Sequence, residues 1–162
     1  QNDLRKEWSI SEFDSLYTFY YCGFNLRSTD LQAYIGLEQL KKIPTITKKR
    51  EANFDKYQHK ILNEYWKVKP PEKSFTSNFA YPVIHQNRSQ IVKELIKNQV
   101  EVRPLICPSI GTQPMYIKNY KKLELKNSKI VDKYGFYVPN HPNLDSKDIS
   151  FICDIINNGM KK

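Results

Sequence analysis

Residues 17–40 read YTFYYCGFNLRSTDLQAYIGLEQL and join a polar loop to a strongly apolar helical pattern. The loop carries Asn25 and Arg27. The helix begins with the spacing of a capping box, because the Thr29 hydroxyl can accept from the amide of Gln32 while the Gln32 side chain reaches back to the amide of Thr29. The sequence therefore predicts a loop that is held rigidly at the start of a helix.

The helix that follows is apolar on two faces. One stripe at helical spacing consists of Ala33, Gly36, Leu37, Leu40 and Ile43. Most of a second stripe is filled by Leu31, Tyr34 and Ile35. A helix of this kind is typically buried, so we expect it to pack against more than its own chain.

Asn25 and Arg27 have two interpretations on local grounds. An amide and a guanidinium at a helix start, where orphan backbone N–H groups favour negative charge, suit a phosphate site. Asparagine is also common in turns because it tolerates a left-handed backbone, and a loop arginine is often a surface residue. The local pattern leaves both interpretations open.

Composition favours a globular protein. The chain has 162 residues, of which 40% are hydrophobic, enough for one domain with a core or for a domain fragment with a smaller domain attached. No stretch reaches the roughly 18 consecutive apolar residues of a membrane span. We therefore expect a cytoplasmic protein with no membrane partner.

Charge and cysteine content limit the partners. The 26 basic and 17 acidic residues give a formal net charge of +9, but the lysines are scattered in short clusters without a nucleic-acid fold signature. We expect mainly solvated faces, with a phosphate-bearing substrate as an alternative and a nucleic-acid partner as the weakest interpretation. The three cysteines, Cys22, Cys107 and Cys153, lack metal or redox spacing, which predicts free thiols and no metal site.

The middle of the chain predicts a second helix and a linker. Pro44 interrupts the first helical pattern, and an amphipathic helix follows from about Thr45. Its apolar face is formed by Ile46, Phe54, Tyr57, Ile61 and Tyr65. Residues 67–77, which contain two adjacent prolines, have the composition of a linker and are the predicted domain boundary.

The remainder predicts a small α/β domain. Strands are expected at 78–84, 100–106 and 135–139, with Pro82 limiting the first to a sheet edge or a bulge. Asn87 is the predicted cap of a helix at 89–98 whose inward residues are Ile91, Val92, Leu95 and Ile96. Asp145 is the predicted cap of a last helix. Residues 116–133 predict only a short helix, and His59 and His85 are expected at the surface.

The string GFNLRSTDLQAYIGLEQLKKI at residues 23–43 resembles a signature of the DegT/DnrJ/EryC1/StrS family of sugar aminotransferases and dehydratases, located after the cofactor lysine. The family pattern reads roughly G-[YF]-N-x-R-x-[ST]-[DE]-[LIM]-x-A-x-x-G-x-x-Q-L. The matching positions are Gly23, Asn25, Arg27, Thr29, Asp30, Ala33, Gly36, Gln39 and Leu40. Two later segments, EVRPLICPSIGTQPMY at 101–116 and YGFYVPNHPNLDSKDISFICDII at 134–156, are also similar to the family.

The resemblance implies an α/β fold, the C-terminal part of a fold type I transferase that depends on pyridoxal 5′-phosphate (PLP). Its parts would be the end of the cofactor domain with interdomain helices (1–66), a linker (67–77), and a small domain with a short, mainly antiparallel sheet (78–162). The Schiff-base lysine would lie upstream, so we expect a portion of a longer homodimeric enzyme, with no catalytic residue in this segment and no activity alone.

The resemblance also assigns site residues. Asn25 would donate to the cofactor phosphate of the neighbouring subunit, with Arg27 close by, toward the phosphates or the sugar nucleotide. Arg103 would lie near the substrate entrance, although a strand-end arginine in a surface ion pair fits equally. His141, in PNHPNL, would face the substrate, although a loop histidine also commonly bonds to the backbone of a turn.

The implied activity is amino-group transfer to a nucleotide-linked keto-deoxysugar, a step of deoxysugar and polysaccharide biosynthesis. One segment departs from the aminotransferase pattern, because CPSIGT at 107–112 has no histidine before Gln-Pro. This variant is more similar to the family's keto-deoxysugar 3-dehydratases, in which histidine replaces the Schiff-base lysine. That position lies upstream, so both activities stay open, as does a non-catalytic interaction module.

Overall fold

The computed structural model describes residues 2–9, 11, 21, 28–62, 66–67, 69–106 and 108–161. The chain forms two compact units, Gln1–Leu40 and Lys41–Lys162. None of the helices in the described ranges has the length and apolar character that crossing a membrane requires.

The first unit contains helices α1 (Asn2–Glu7) and α2 (Asp30–Leu40). The predicted capping box is present, since the Thr29 amide donates to Gln32 Oε1 over 3.0 Å and the Gln32 amide donates to Thr29 Oγ1 over 3.3 Å. No side chain of α2 is buried, and Tyr34 is 67% exposed. The burial expected for α2 is therefore not provided by the described part of this chain.

The second unit begins with α3 (Ile43–Lys60). Pro44 lies in its first turn, where the missing N–H leaves no hydrogen bond unmade, so the predicted break is confirmed. Phe54, Tyr57 and Ile61 are buried, as predicted from their spacing. Tyr65 lies outside the described residues.

The unit contains an antiparallel sheet of three strands, β1 (Ala80–Ile84), β2 (Arg103–Pro104) and β3 (Gly135–Pro139). Their order in the sheet is β1, β3, β2. Pro82 lies in an edge strand, as predicted. The second strand is much shorter than the predicted 100–106. Pro104 has no N–H to donate, which is consistent with the ladder ending there.

The described part of this unit also contains four more α-helices, α4 (Arg88–Lys97), α5 (Pro114–Asn119), α6 (Lys126–Tyr134) and α7 (Ser146–Met160), and a 3-10 helix at Ile110–Thr112. The hydrophobic core lies where α3, α4 and α7 pack against β1 and β3. Each of these five elements contributes buried side chains to it. Phe54, Tyr57 and Ile61 thus share a core with residues beyond the predicted linker. The predicted division at 67–77, with parts 1–66 and 78–162, stays a prediction.

Two helix predictions need correction and one is confirmed. Asn87 precedes α4, but its side chain makes no capping bond and instead donates to the Gly159 carbonyl over 3.2 Å. Ile96 is 60% exposed and does not point inward with Ile91 and Leu95. Asp145 caps α7 in a capping box with Asp148, as its position predicted.

Candidate functional site

An open groove of about 230 Å³ lies at the end of β3. We call it the aromatic groove. Its walls are formed by Phe79, Ala80, Glu101, Arg103, Tyr137, Val138, Pro139, Asn140 and His141. The groove thus brings together Arg103 and His141, two residues that the sequence assigned to substrate binding.

The order of the strands explains why distant residues meet there. The central strand β3 pairs with both neighbours, so Ala80 lies opposite Pro139 and Arg103 lies opposite Tyr137. Phe79, just before β1, places its ring 5.4 Å from the Tyr137 ring at an interplanar angle of 55°. Phe79 is 58% exposed, so this aromatic pair offers apolar surface to a ligand.

Arg103 is held by an exposed ion pair. Its Nε and Nη2 donate to the same Glu101 oxygen, Oε1, over 2.9 Å and 2.6 Å. The surface ion pair, which the sequence left open as an alternative interpretation of Arg103, is therefore present. An exposed pair of this kind contributes only about 0–1 kcal/mol, so it orients the guanidinium without preventing a bound anion from competing for it.

His141 lies in an exposed turn just after β3. Its Nδ1 accepts a hydrogen bond from the Asn143 amide over 3.2 Å, which is the turn bond considered from the sequence. Because Nδ1 accepts, the neutral ring carries its proton on Nε2. The Nε2–H is then the donor that the ring can offer to a ligand.

Three buried side chains fasten this turn to α3. The Tyr57 hydroxyl donates to the Pro139 carbonyl over 2.8 Å, and Asn53 Nδ2 donates to the His141 carbonyl over 3.2 Å. Asn140 Nδ2 donates in the other direction, to the Arg50 carbonyl over 3.2 Å, and also to the Asn78 carbonyl over 2.9 Å. The position of His141 is thereby fixed relative to α3.

Asn140 also has an unmatched acceptor. Its side chain is fully buried, and its Oδ1 has no hydrogen-bond partner among the described residues. A buried acceptor without a partner costs about 1–3 kcal/mol.

The sequence reasoning missed Phe79, Tyr137 and Asn140. The sequence contained a clue to Asn140, because this residue lies beside His141 in the PNHP string. The two aromatic residues had none, because a tyrosine in a strand and a phenylalanine before one are equally expected of a hydrophobic core.

Asn25 and Arg27 lie outside the described residues, as do Cys22 and Cys107. The helix start that follows them is described, and there the capping box engages the amides of Thr29 and Gln32. Asp30 adds a carboxylate to the first turn of α2. An anion near this helix would therefore depend mainly on side-chain donors from the loop.

The two remaining histidine predictions have different outcomes. His85 is buried rather than exposed, its Nδ1 accepts from the Asn87 amide over 3.1 Å, and burial lowers its pKa. His59 is exposed as expected.

Cys153 is a buried free thiol. Over the described ranges, no cluster of three or more histidine, cysteine or acidic side chains is placed to hold a metal ion.

Comparison with known proteins identifies the family. Residues 5–157 match the DegT/DnrJ/EryC1/StrS aminotransferase family. The chain is 25% identical over 163 residues to a GDP-4-keto-6-deoxy-D-mannose 3-dehydratase of Yersinia pseudotuberculosis, with 96% of this chain and 42% of the relative covered. It is 30% identical over 141 residues to a GDP-perosamine synthase of Caulobacter vibrioides, with 82% and 38% covered.

Solved structures show the same fold. A GDP-4-keto-6-deoxymannose-3-dehydratase with a trapped PLP-glutamate geminal diamine superposes with a TM-score of 0.73 at 23% identity, with 91% of this chain and 40% of that chain covered. A DegT DnrJ EryC1 StrS aminotransferase of Brucella abortus gives a TM-score of 0.75 at 22% identity, with 90% and 39% covered.

These matches confirm the predicted family and fold class. They also show that the chain spans only about two fifths of the length of the relatives described above. Because the family match covers nearly all of this chain, the chain belongs to the DegT/DnrJ/EryC1/StrS aminotransferase family.

Proposed function

We propose that this chain forms the substrate-facing part of a PLP-dependent enzyme that transfers an amino group to a nucleotide-linked keto sugar. The observation that carries the proposal is the aromatic groove, in which Arg103 and His141 meet beside an aromatic pair. The relatives whose names mention GDP-linked sugars support the substrate class.

The groove has the chemical features that a sugar nucleotide requires. The rings of Phe79 and Tyr137 provide apolar surface for a sugar face or a nucleobase. The guanidinium of Arg103 is a planar fork of donors that suits phosphate oxygens. Glu101 can accept from sugar hydroxyls through the oxygen that does not hold Arg103, and His141 offers its Nε2–H.

The donor set of the loop before α2 suits the phosphate of PLP. An amide from Asn25 and a guanidinium from Arg27 are charge-compatible donors for that group. The capping box would fix the end of the loop that carries them. We assign Asn25 to the cofactor phosphate of the neighbouring subunit in a homodimer, and Arg27 to the adjacent phosphate or substrate. When bound, PLP supplies an electron sink that stabilises a carbanion.

A second activity has its own support. The CPSIGT segment at 107–112 lacks the histidine of many family aminotransferases, and one of the matched relatives is a 3-dehydratase. The alternative function is therefore removal of the sugar 3-hydroxyl with the same cofactor and the same substrate class. The residue at the upstream lysine position decides between the two activities.

Product analysis tests the proposal on the polypeptide that carries this chain with its cofactor-lysine region. The enzyme would be incubated with GDP-4-keto-6-deoxymannose, PLP and glutamate. Amino transfer predicts one 4-amino sugar per 2-oxoglutarate formed, with the sugar 3-hydroxyl retained. A 3-deoxy sugar would establish the dehydratase instead. Absence of any modified sugar with this substrate and with its UDP- and dTDP-linked counterparts, with the cofactor demonstrably bound, would contradict both.

A further inference from the structure

A second cleft adjoins the aromatic groove and is basic. It encloses about 450 Å³ between the start of α3 and the turn after β3. We call it the lysine cleft. Its walls are formed by Lys41, Lys42, Thr45, Ile46, Lys49, His141, Pro142 and Asn143. Three of these residues are lysines and none is acidic.

The walls of the lysine cleft are held together by buried groups. Asn53, on α3, donates to the His141 carbonyl, and Asn140, beside His141, donates to the Arg50 carbonyl of α3. Both asparagines are buried, with exposures of 4% and 0%. The cleft is therefore a built feature of the second unit rather than a chance approach of surface side chains.

The distribution of charge in the cleft calls for an anion. Lys41 and Lys42 immediately precede the 18-residue helix α3, at the end where the helix dipole favours negative charge, and the first turn of α3 has no acidic residue. Lys49 lies further along the helix, beyond its first turn. Lysines are normally favoured at the opposite end of a helix. Lys42 at this end of the helix and Lys49 in the same cleft raise the local positive potential, which a multiply charged anion would relieve.

The shared residue defines what kind of anion fits. His141 lies in the walls of both the aromatic groove and the lysine cleft. A ligand that spans the two clefts therefore needs an apolar, hydroxylated part on one side of His141 and a strongly anionic part on the other. A nucleotide sugar has this composition.

We propose that the lysine cleft binds the diphosphate of the nucleotide sugar, with Lys42 and Lys49 as phosphate ligands. This inference rests on the proposed function and adds a subsite to it. The ammonium groups act as mobile point charges along the diphosphate, while Arg103 binds the phosphate oxygens nearest the aromatic groove and the aromatic pair contacts the rest of the ligand.

Calorimetric titration of the full chain tests the subsite. The probes are inorganic pyrophosphate and three nucleotide sugars, namely GDP-mannose, UDP-glucose and dTDP-glucose. The test variant is Lys42→Gln/Lys49→Gln. The matched control is Lys48→Gln/Lys93→Gln, which removes the same charge from exposed positions outside the cleft. Phe79→Ala reports on the aromatic groove alone, and circular dichroism confirms that each variant is folded.

The expected result is that pyrophosphate and at least one nucleotide sugar bind. The cleft variant should weaken both by about tenfold, as expected when two phosphate contacts are lost, and the control by less than about twofold. Phe79→Ala should weaken only the nucleotide sugar. Nucleotide-sugar binding that is equally affected by the cleft variant and the control would overturn the subsite and leave the proposed function standing. Pyrophosphate binding without nucleotide-sugar binding, or no binding at all, would overturn both.

Discussion

At the scale of single residues, the turn after β3 depends on buried hydrogen bonds rather than on its exposed side chains. Asn140 makes two of them, and both acceptors are backbone carbonyls. Asn143, three positions further on, is exposed. Asn143 therefore serves as the exposed control for a substitution of the buried Asn140.

We expect Asn140→Ala to lower the free energy of unfolding by about 1–3 kcal/mol, because it removes two hydrogen bonds at a fully buried position. Asn143→Ala should stay within about 0.5 kcal/mol of the unsubstituted chain. Urea unfolding monitored by circular dichroism measures both changes. Equal losses from the two substitutions would show that the buried bonds do not hold the turn.

His85 predicts a pH dependence of stability. Burial lowers the pKa of His85 below its ordinary value of about 6.5. The unfolded chain then binds the proton more readily than the folded chain, so the stabilisation is present above pH about 6.5 and is lost as the pH falls through the lowered pKa. Protonation would also remove the Nδ1 acceptor that the Asn87 amide uses.

Urea midpoints measured from neutral to mildly acidic pH test this effect. The unsubstituted chain should lose stability as the pH falls, and His85→Gln should lose less over the same interval. His59→Gln, at an exposed position, should follow the unsubstituted chain. If His85→Gln retains the full slope, another group is responsible for the pH dependence.

At the scale of elements, α7 illustrates what periodicity can predict. The spacing of Ile149, Ile152, Ile155 and Ile156 predicts the apolar face of this helix; Ile155 is partly buried and the other three are buried. Cys153 shares the same face. Burial raises the pKa of the Cys153 thiol to about 12. A thiol with this pKa is almost entirely protonated at neutral pH and is a poor nucleophile.

The rate of Cys153 alkylation should therefore be limited by unfolding of α7 rather than by the intrinsic reactivity of the reagent. We expect iodoacetamide to modify Cys153 slowly in the folded chain and rapidly in urea, as measured by peptide mass spectrometry. The unfolded chain serves as its own control for intrinsic reactivity. Rapid alkylation under native conditions would contradict the burial of this face.

Predictions from local sequence patterns were wrong where contacts between distant residues determine the structure. Asn87 occupies a cap position, yet its side chain bonds to Gly159 on a helix far along the chain. Residues 100–106 alternate like a strand, but the paired segment is only Arg103–Pro104. The family motif identified Arg103 and His141 individually. Their meeting in one groove depends on β3 lying between β1 and β2, and no local pattern contains that information.

At the scale of the whole molecule, α2 is the main unexplained surface. Its apolar side chains are exposed, with Leu37 at 59% and Leu40 at 58%. Contiguous apolar surface of this kind normally marks an interface. The resemblance implies a homodimer, so we propose a second copy of the chain as the occupant.

Sedimentation velocity tests this self-association. The chain should form dimers or larger species, and Leu37→Ser/Leu40→Ser should shift it toward monomer. The control Ile96→Ser/Phe151→Ser removes comparably exposed apolar side chains from α4 and α7, where Ile96 is 60% and Phe151 48% exposed, and it should leave the association unchanged. A monomeric unsubstituted chain, or equal effects of both variants, would contradict a role for α2.

We expect the groove around Arg103 and His141 to bind a nucleotide sugar. The most direct measurement is proton NMR of the three histidine rings during titration of the chain with GDP-mannose at physiological salt. His141 lines the groove, whereas His59 and His85 do not. We expect a saturable shift of the His141 ring signals that is absent in Arg103→Gln, with the His59 and His85 signals unchanged. Saturable binding that leaves the His141 signals unchanged would contradict it.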